Sequence, residues 1–504
     1  MRRRQFLYCA AAAAMPTAIT ACSGAMPPMS NQPRPGDQQL GRFELDSRGL
    51  ERILGALGRN GADFGEVFIQ RQHARRLRAF DGQLLSVRNG VDVGAGLRVV
   101  RNSATGFAVS ESLREASLLS AARAASASST AAEAQSPAPI VIGRAFDRYA
   151  VTRVWSEVPV LRRHEIVATL DSLLRQADAG VVATEITLTD VDDDILIARL
   201  DGRLVADRRP MTRLSAQVSI RESDVTHTGF VSLSGRQGDD WFSRERLQTL
   251  ATDAIEKTRQ LFDARKPPSG ELPVILAAGS SGVVFHETLG HALEADRVSS
   301  GASPYHTLGE TVASEVLTLV DDPTLPGARG SLNVDDEGEP AARRVLVEAG
   351  TLQSFVHDRA SAQASGASAA GNGRRASFRH VPLPRLSNTT IENGQHEPDE
   401  LLSAMDRGVI AESYTGGGVD SRTGRFRFRV RNGWFVEGGG RRVPVRDFDI
   451  AGDASALPRK VALVANDWKM DLGGWTSGKN GQAVPVSQGM PSLLVDSLDV
   501  QPLS

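Results

Sequence analysis

Gly279-Ser280-Ser281-Gly282-Val283-Val284-Phe285-His286-Glu287-Thr288-Leu289-Gly290-His291-Ala292-Leu293-Glu294-Ala295-Asp296 decides how this 504-residue chain is read. A glycine-bounded turn leads into an apolar helical run that carries two histidines with an acid beside the first. Those residue types suggest metal-assisted hydrolysis. His286 and His291 hold a divalent ion, and Glu287, the general base, takes a proton from water activated there. The histidines stand five positions apart. On a regular helix, at about 100° per residue, that turns them roughly 140° away from each other. A one-residue π bulge returns both to one face, and such bulges favour functional sites. Gly290 is where the irregularity is expected. Without a bulge, the stretch reads as a buried helix with two hydrogen-bonded histidines.

Just upstream, Leu272 to Ala278 reads as an apolar strand. Before it, Lys266-Pro267-Pro268-Ser269-Gly270 cannot continue a helix and marks the best domain boundary. Downstream, strands alternate with glycine turns. Val345 to Val356 reads as a hairpin turning at Ala349-Gly350, and Phe426 to Val436 as another turning near Asn432-Gly433.

Residues 42 to 265 read as an α+β region with a largely antiparallel sheet. Helical spacing runs from Asp46, a plausible N-cap, to Leu57, and again over Glu111 to Ala125, Arg162 to Ala177 and Ser243 to Phe262. Strand-like runs cover Val67 to Ile69, a segment through Leu77 and Phe80, Val91 to Val100, Val181 to Thr189, Ile195 to Leu200 and Leu214 to Ile220. Residues 126 to 139 read as a linker.

Hydrophobic residues make up 41% and charged residues 23% of the chain, ordinary for a globular protein and unlike a disordered or multi-span membrane chain. With 58 Lys+Arg against 60 Asp+Glu, the net charge of −2 demands neither a nucleic-acid partner nor an anionic membrane. Two cysteines, Cys9 and Cys22, exclude a disulfide framework and a Cys-rich metal cluster.

The N-terminus reads as an address. Arg2-Arg3-Arg4-Gln5-Phe6-Leu7 precedes an Ala-rich apolar run and resembles a twin-arginine export signal. Ile19-Thr20-Ala21-Cys22 resembles a lipobox in which Cys22 is lipidated. Residues 1 to 22 are thus expected to be an export signal and 23 to 41 a flexible tether. The expected location is the periplasm or cell envelope, with membrane contact only through the anchor; the alternative is the cytoplasm. Cleavage before Cys22 removes three arginines and no acid, so the remaining charge is 55 − 60 = −5.

Several motifs in order make the chain similar to the TldD/PmbA metallopeptidases, an older label being modulator of DNA gyrase. They are His286 to His291, Gly330-Ser331-Leu332-Asn333-Val334-Asp335-Asp336-Glu337-Gly338, Gly371-Asn372-Gly373-Arg374-Arg375, Gly416-Gly417-Gly418-Val419-Asp420 and Gly478-Lys479-Asn480-Gly481-Gln482. The resemblance implies a two-domain α+β fold, with the His-Glu helix opening a β-rich domain over 266 to 504. It implies a zinc-dependent peptidase acting on unfolded or flexible peptides, as a homodimer or paired with a TldE/PmbA-type subunit. It also implies a cysteine as third metal ligand, at the position held here by Ser477. A serine hydroxyl is a far poorer zinc ligand than a thiolate. Asp471, Asp420, His380 and Glu294 are candidate replacements, and loss of the metal, leaving a peptide-binding subunit, is the alternative. Gly416, Gly417 and Gly418 permit close approach of an extended peptide as an added strand, or form a plain turn. Arg374 and Arg375 either bind a substrate carboxylate or form a solvated turn.

Overall fold

In the computed structural model, the described residues are 36–504, excepting 102–103, 128–133, 144–145, 370, 439 and 504. The expected export signal, the expected Cys22 anchor and most of the expected tether lie outside them. Tether residues 37–41 form a short helix, α1 (Asp37–Gly41), because Leu40 is buried in the core beside Phe43 and Leu50.

Alternating residues build a seven-stranded sheet from β1 (Phe64–Phe80), β2 (Gln83–Arg101), β3 (Ala104–Ser110), β4 (Val141–Ile142), β5 (Val181–Arg199), β6 (Arg203–Glu222) and β7 (Val225–Gly235). The order is β3-β2-β1-β5-β6-β4, with β7 also paired to β6, and every pair but β4–β6 is antiparallel. Asp81 and Gly82 close the β1–β2 hairpin with φ of 47° and 74°, the conformation a two-residue turn of this twist requires.

One face of the sheet carries the helices. α2 (Ser47–Leu57) and α3 (Glu115–Ala127) cover Val67, Ile69, Leu97 and Leu196. α4 (Val160–Ala177) and α5 (Arg244–Asp263) cover Leu77, Leu188 and Leu214. Asp46 caps α2, accepting the Gly49 N–H at 2.7 Å. The opposite face presents Phe68, Ile195 and Ile197, which pack on Phe378 of the C-terminal half.

β5 differs from the sequence reading, which broke it at the acidic run Asp190 to Asp194. The strand is continuous because each inward acid finds a partner. Asp190 accepts Arg163 Nε at 2.8 Å, Asp192 accepts the Trp155 N–H at 3.1 Å, and Asp193, on the other face, accepts Gln70 Nε2 at 2.9 Å.

α5 ends at Asp263 and β8 (Gly270–Leu276) begins beyond the two prolines. β8 lies inside a nine-stranded sheet, parallel to Arg407–Ala411 and antiparallel to Leu493–Pro502. Ala349 and Gly350 make the expected hairpin turn with φ of 45° and 77°. The second expected hairpin is absent. Arg425–Val430 pairs with Tyr414–Val419 and Phe448–Asp453, whereas Gly433–Glu437 pairs with Arg407–Ala411 and Arg441–Val445. Asn432 is drawn instead to α5, donating to Lys257 O and Gln260 Oε1, both at 3.2 Å.

The described residues pack as one compact unit. Among the described residues, no helix is long and apolar enough to cross a membrane. The fold is α+β with mostly antiparallel sheets, and the histidine-bearing helix opens the C-terminal half.

Candidate metal centre

β8 runs into α6 (Gly282–Phe285), a single α turn, which passes directly into a π turn over His286–Gly290. The His291 N–H donates to the His286 carbonyl five residues back, the irregularity the histidine spacing demands. Gly290 ends the turn, and a Cβ there would meet Leu386 Cδ1 at 2.8 Å, so any side chain would require Leu386 to shift. The expected single helix is therefore composite, with a 3-10 turn at His291–Leu293 following. Val283, Val284, Phe285, Leu289 and Leu293 anchor it in the C-terminal core.

The π turn brings the imidazoles together, their ring centroids 4.7 Å apart at 72°. One ligand atom from each of His286, Glu287 and His291 lies within 4.8 Å of the others. Each imidazole has a polar neighbour at Nδ1. His286 Nδ1 bonds Thr389 Oγ1 at 2.7 Å, and His291 Nδ1 lies 3.2 Å from Glu294 Oε1. Both Nε2 atoms are left to face the shared space. His286 Nε2 is buried without a hydrogen-bond partner, and His291 Nε2 sits 3.6 Å from Glu287 Oε1 and 3.2 Å from Ser477 Oγ. Two imidazole nitrogens facing one space, one of them orphaned and with a carboxylate beside them to serve as base, fit a divalent metal ion.

Ser477 reaches the site on a hairpin, Thr476–Lys479 paired with Gln482–Pro485, turned by Asn480 and Gly481 at φ of 49° and 74°. Lys479, two residues on, shares its strand face. Its Nζ donates to Glu294 Oε2 at 2.9 Å, Asp296 Oδ1 at 2.5 Å and Pro384 O at 2.9 Å. One strand thus reaches both edges of His291, through Ser477 at Nε2 and through Lys479 and Glu294 at Nδ1. Arg385 Nη2 donates to Ser477 Oγ at 3.0 Å and to its carbonyl at 2.7 Å.

Burial, reinforced by the neighbouring His291, pushes His286 down to about 3, so its ring is neutral. Burial also lowers His291, but the Glu294 and Glu287 carboxylates outweigh it and lift that ring to about 9. Burial raises Glu294, yet His291 and Lys479 hold it well below the usual carboxylate range.

The proposed replacement ligands fare differently. Glu294 touches the pair, but at Nδ1, where it orients the ring. Asp471 accepts the Trp475 indole N–H at 2.5 Å, His380 Nδ1 bonds Ser377 Oγ at 3.0 Å, and Asp420 caps an exposed turn. Among the described residues, the His/Cys/Asp/Glu group that converges is His286, Glu287 and His291. Arg374 is not part of a solvated turn. It is buried, donating to Leu386 O at 2.6 Å and Pro485 O at 2.7 Å. Arg375 is likewise interior, paired with Glu66. Gly416 to Gly418 lie in Tyr414–Val419, an edge strand of the nine-stranded sheet, and Tyr414 Oη bonds Ser281 Oγ at 3.1 Å, beside α6. A Cβ on Gly416 or Gly418 would meet nothing within 4 Å, whereas one on Gly417 would strike Phe428 at 2.2 Å. Sequence reasoning missed Thr389, Lys479 and Arg385. Only Lys479 carried a signal, its strand-alternate position to Ser477.

The chain matches PmbA/TldA metallopeptidase domain 1 over residues 65–129, the central domain over 153–262 and the C-terminal domain over 269–502. It is 32% identical over 464 residues to a metalloprotease TldD homolog of Haemophilus influenzae, spanning 90% of this chain and 96% of that one. It is 32% identical over 301 residues to a zinc metalloprotease TldD homolog of Saccharolobus solfataricus, spanning 60% and 67%. TldE from Thermococcus kodakarensis shares the fold, with a TM-score of 0.68 at 18% identity over 90% of this chain and 99% of that one. With all three domains matched in order around the His-Glu-His centre, the chain belongs to the PmbA/TldD metallopeptidase family.

Proposed function

We propose that this chain is a zinc-dependent peptidase that hydrolyses flexible peptides. The observation carrying this reading is the π turn that converges His286, Glu287 and His291 and leaves His286 Nε2 buried and unpartnered. His286 and His291 would hold the ion through Nε2, since Thr389 bonds the Nδ1 of His286 and Glu294 faces the Nδ1 of His291 at 3.2 Å. A bound zinc supplies Lewis-acid chemistry, polarising a carbonyl and making water acidic near neutral pH. Glu287 carries the proton from the attacking water to the leaving amine. Burial raises the Glu287 carboxyl, but His291 and His286 outweigh it, so it stands ionised and ready to accept. The peptide lies as an added strand on Tyr414–Val419, where Gly416 and Gly418 leave open space.

A second reading is favoured by Ser477, whose oxygen already accepts from Arg385. There the chain is a metal-free peptide-binding subunit of a TldD/TldE-type complex. The deciding measurement is metal content of chain lacking residues 1–22, purified without chelator, beside His286→Ala. About one zinc per chain, lost in the variant, is expected. No metal in either protein, even with zinc and a TldE/PmbA-type partner supplied, would overturn the peptidase reading. If metal then appears only in Ser477→Cys, the second reading stands. For localisation, the proposal is an envelope lipoprotein. Radiolabelled fatty acid should enter the full chain and not Cys22→Ala.

A further inference from the structure

Five interior arginines, Arg98, Arg163, Arg199, Arg209 and Arg375, form ion pairs with carboxylates. Buried Arg374 and Arg385 form none and donate to backbone carbonyls instead. Among the described residues, buried Arg236 and half-buried Arg213 and Arg329 form none either, and they stand together beside the strand that carries Ser477.

Their placement follows from register. Arg213 of β6 lies directly opposite Ser234 of β7, on the sheet face turned away from the helices. Ser234 Oγ accepts Arg329 Nη1 at 2.9 Å. A Cβ on Gly474 would lie 3.1 Å from Ser234 Oγ and 3.3 Å from Arg213 Nε, so both guanidinium groups flank one glycine. Arg236 follows two residues after Ser234 and sits at the back, 3% exposed, over the Tyr149 ring.

Their hydrogen-bonding capacity is largely unspent. Arg236 Nε and Arg213 Nε are buried without partners, and the one bond from the Arg236 guanidinium is a long 3.5 Å contact to Pro210 O. Arg329 bonds only neutral oxygens: Trp475 O at 2.9 Å, Thr476 Oγ1 at 3.2 Å and Ser234 Oγ. The carboxylates that act on the cluster are engaged elsewhere. Asp471 holds the Trp475 indole, Asp207 holds Tyr149, Arg209 and Asn333, and Asp193 holds Gln70. Burial, with Arg213 and Arg236 adding repulsion, depresses Arg329 to about 10. Buried cations are ordinarily paired. Guanidinium forks match carboxylates geometrically.

We infer that Arg213, Arg236 and Arg329 form an anion-binding subsite that takes a carboxylate of the peptide substrate. This rests on the peptidase reading above for the identity of the ligand. Arg329 grips Trp475 and Thr476, the two residues before Ser477, so the bound carboxylate sits within a few residues' length of the His-Glu-His centre, at roughly 3.3 Å per residue. Arg213 and Arg329 are half-buried and reachable from solvent, whereas Arg236 is buried.

The test is fluorescence-anisotropy binding to full-length Glu287→Gln protein, which retains peptide without turnover. Two labelled pairs are compared: a free C-terminal carboxylate against its amide, and an internal Glu against Gln. The acidic member of at least one pair should bind about tenfold tighter or more, and the discriminating pair says which carboxylate is used. In the double variant Arg213→Gln with Arg329→Gln, that preference should fall below about twofold. Inorganic phosphate should erase it in the parent. Arg213 and Arg329 are half-buried, so a parent-like melting temperature separates lost binding from lost fold, and Arg213→Gln alone serves if the double variant melts early. Equal binding of both pairs, no binding of any peptide, or a preference that survives in the variant overturns the proposal. Phosphate binding without discrimination in either pair also overturns it, leaving a free-anion site. Anisotropy reads binding alone, so a chain that never cleaves can pass. A chain that cleaves acid and amide peptides alike fails here while the peptidase reading stands.

Discussion

Two polar regions of this molecule differ in how completely their charges are answered. Along the seam between the seven-stranded sheet and the C-terminal half, Arg98 meets Glu66 and Glu337, Arg375 meets Glu66, and Arg209 meets Asp207 and Asp336. The loop carrying Asp336 and Glu337 is itself tied down, Asp335 accepting the N–H groups of Glu337, Glu339 and Gly373 at 2.9 Å each. Around the π turn and beside the Ser477 hairpin the pattern differs. His286 Nε2 is buried without a partner, and among the described residues Arg213, Arg236 and Arg329 have no carboxylate paired to them. Burying a polar group unanswered costs stability. The seam therefore reads as structure, and the second region as a surface waiting for ligands.

The contrast breaks if function survives loss of an unanswered group. The largest effect is expected for Glu287→Gln: a fall in peptide hydrolysis of about a thousandfold, with zinc content and denaturation midpoint near those of the parent. If such a variant keeps its turnover, the base lies elsewhere.

A pair of arginine variants sharpens the comparison directly. Arg98→Met strands buried Glu337 and leaves Glu66 with Arg375 alone, and should lower unfolding free energy by about 3–5 kcal/mol in urea titration. Arg236→Met removes an unpaired cation and should be neutral within about 1 kcal/mol, or stabilising. Equal losses would erase the distinction between the regions.

Smaller effects should appear in metal affinity, read by chelator competition. Thr389→Val frees the Nδ1 edge of His286 and should weaken zinc binding by roughly 10- to 100-fold. The pH dependence follows from His291. Its ring is lifted to about 9, so below that pH a proton must leave before metal binds. Apparent affinity should therefore rise with pH through the neutral range, by up to roughly tenfold per unit, and level off above about 9. A flat profile would place the metal away from His291.

Much of this was legible in the chain. The five-residue histidine spacing required a π turn, and the turn is there. The Lys266 to Gly270 break falls between α5 and β8, and Ala349-Gly350 turns as expected. What misled was polarity read without partners. Asp190 to Asp194 looked like an interruption, but Arg163, the Trp155 N–H and Gln70 make it strand. Arg374 looked like a surface cation because nothing local reveals the Leu386 and Pro485 carbonyls that bury it. Asn432-Gly433 looked like a tight turn, yet α5, far off in sequence, claims the asparagine. Thr389 is in the same class, since its hydroxyl lies 103 residues from His286 along the chain.

The two-residue turn at Asn480-Gly481 has a further consequence. Strand side chains alternate, so a one-residue slip moves every one of them to the other face. Ser477 and Lys479 serve His291 from the same face, and their register opposite Val484 and Gln482 is set by the length of that turn alone. Inserting a single glycine after Gly481 would leave the composition of the centre untouched. It would still strip His291 of both its neighbours at once, as a double deletion of Ser477 and Lys479 would.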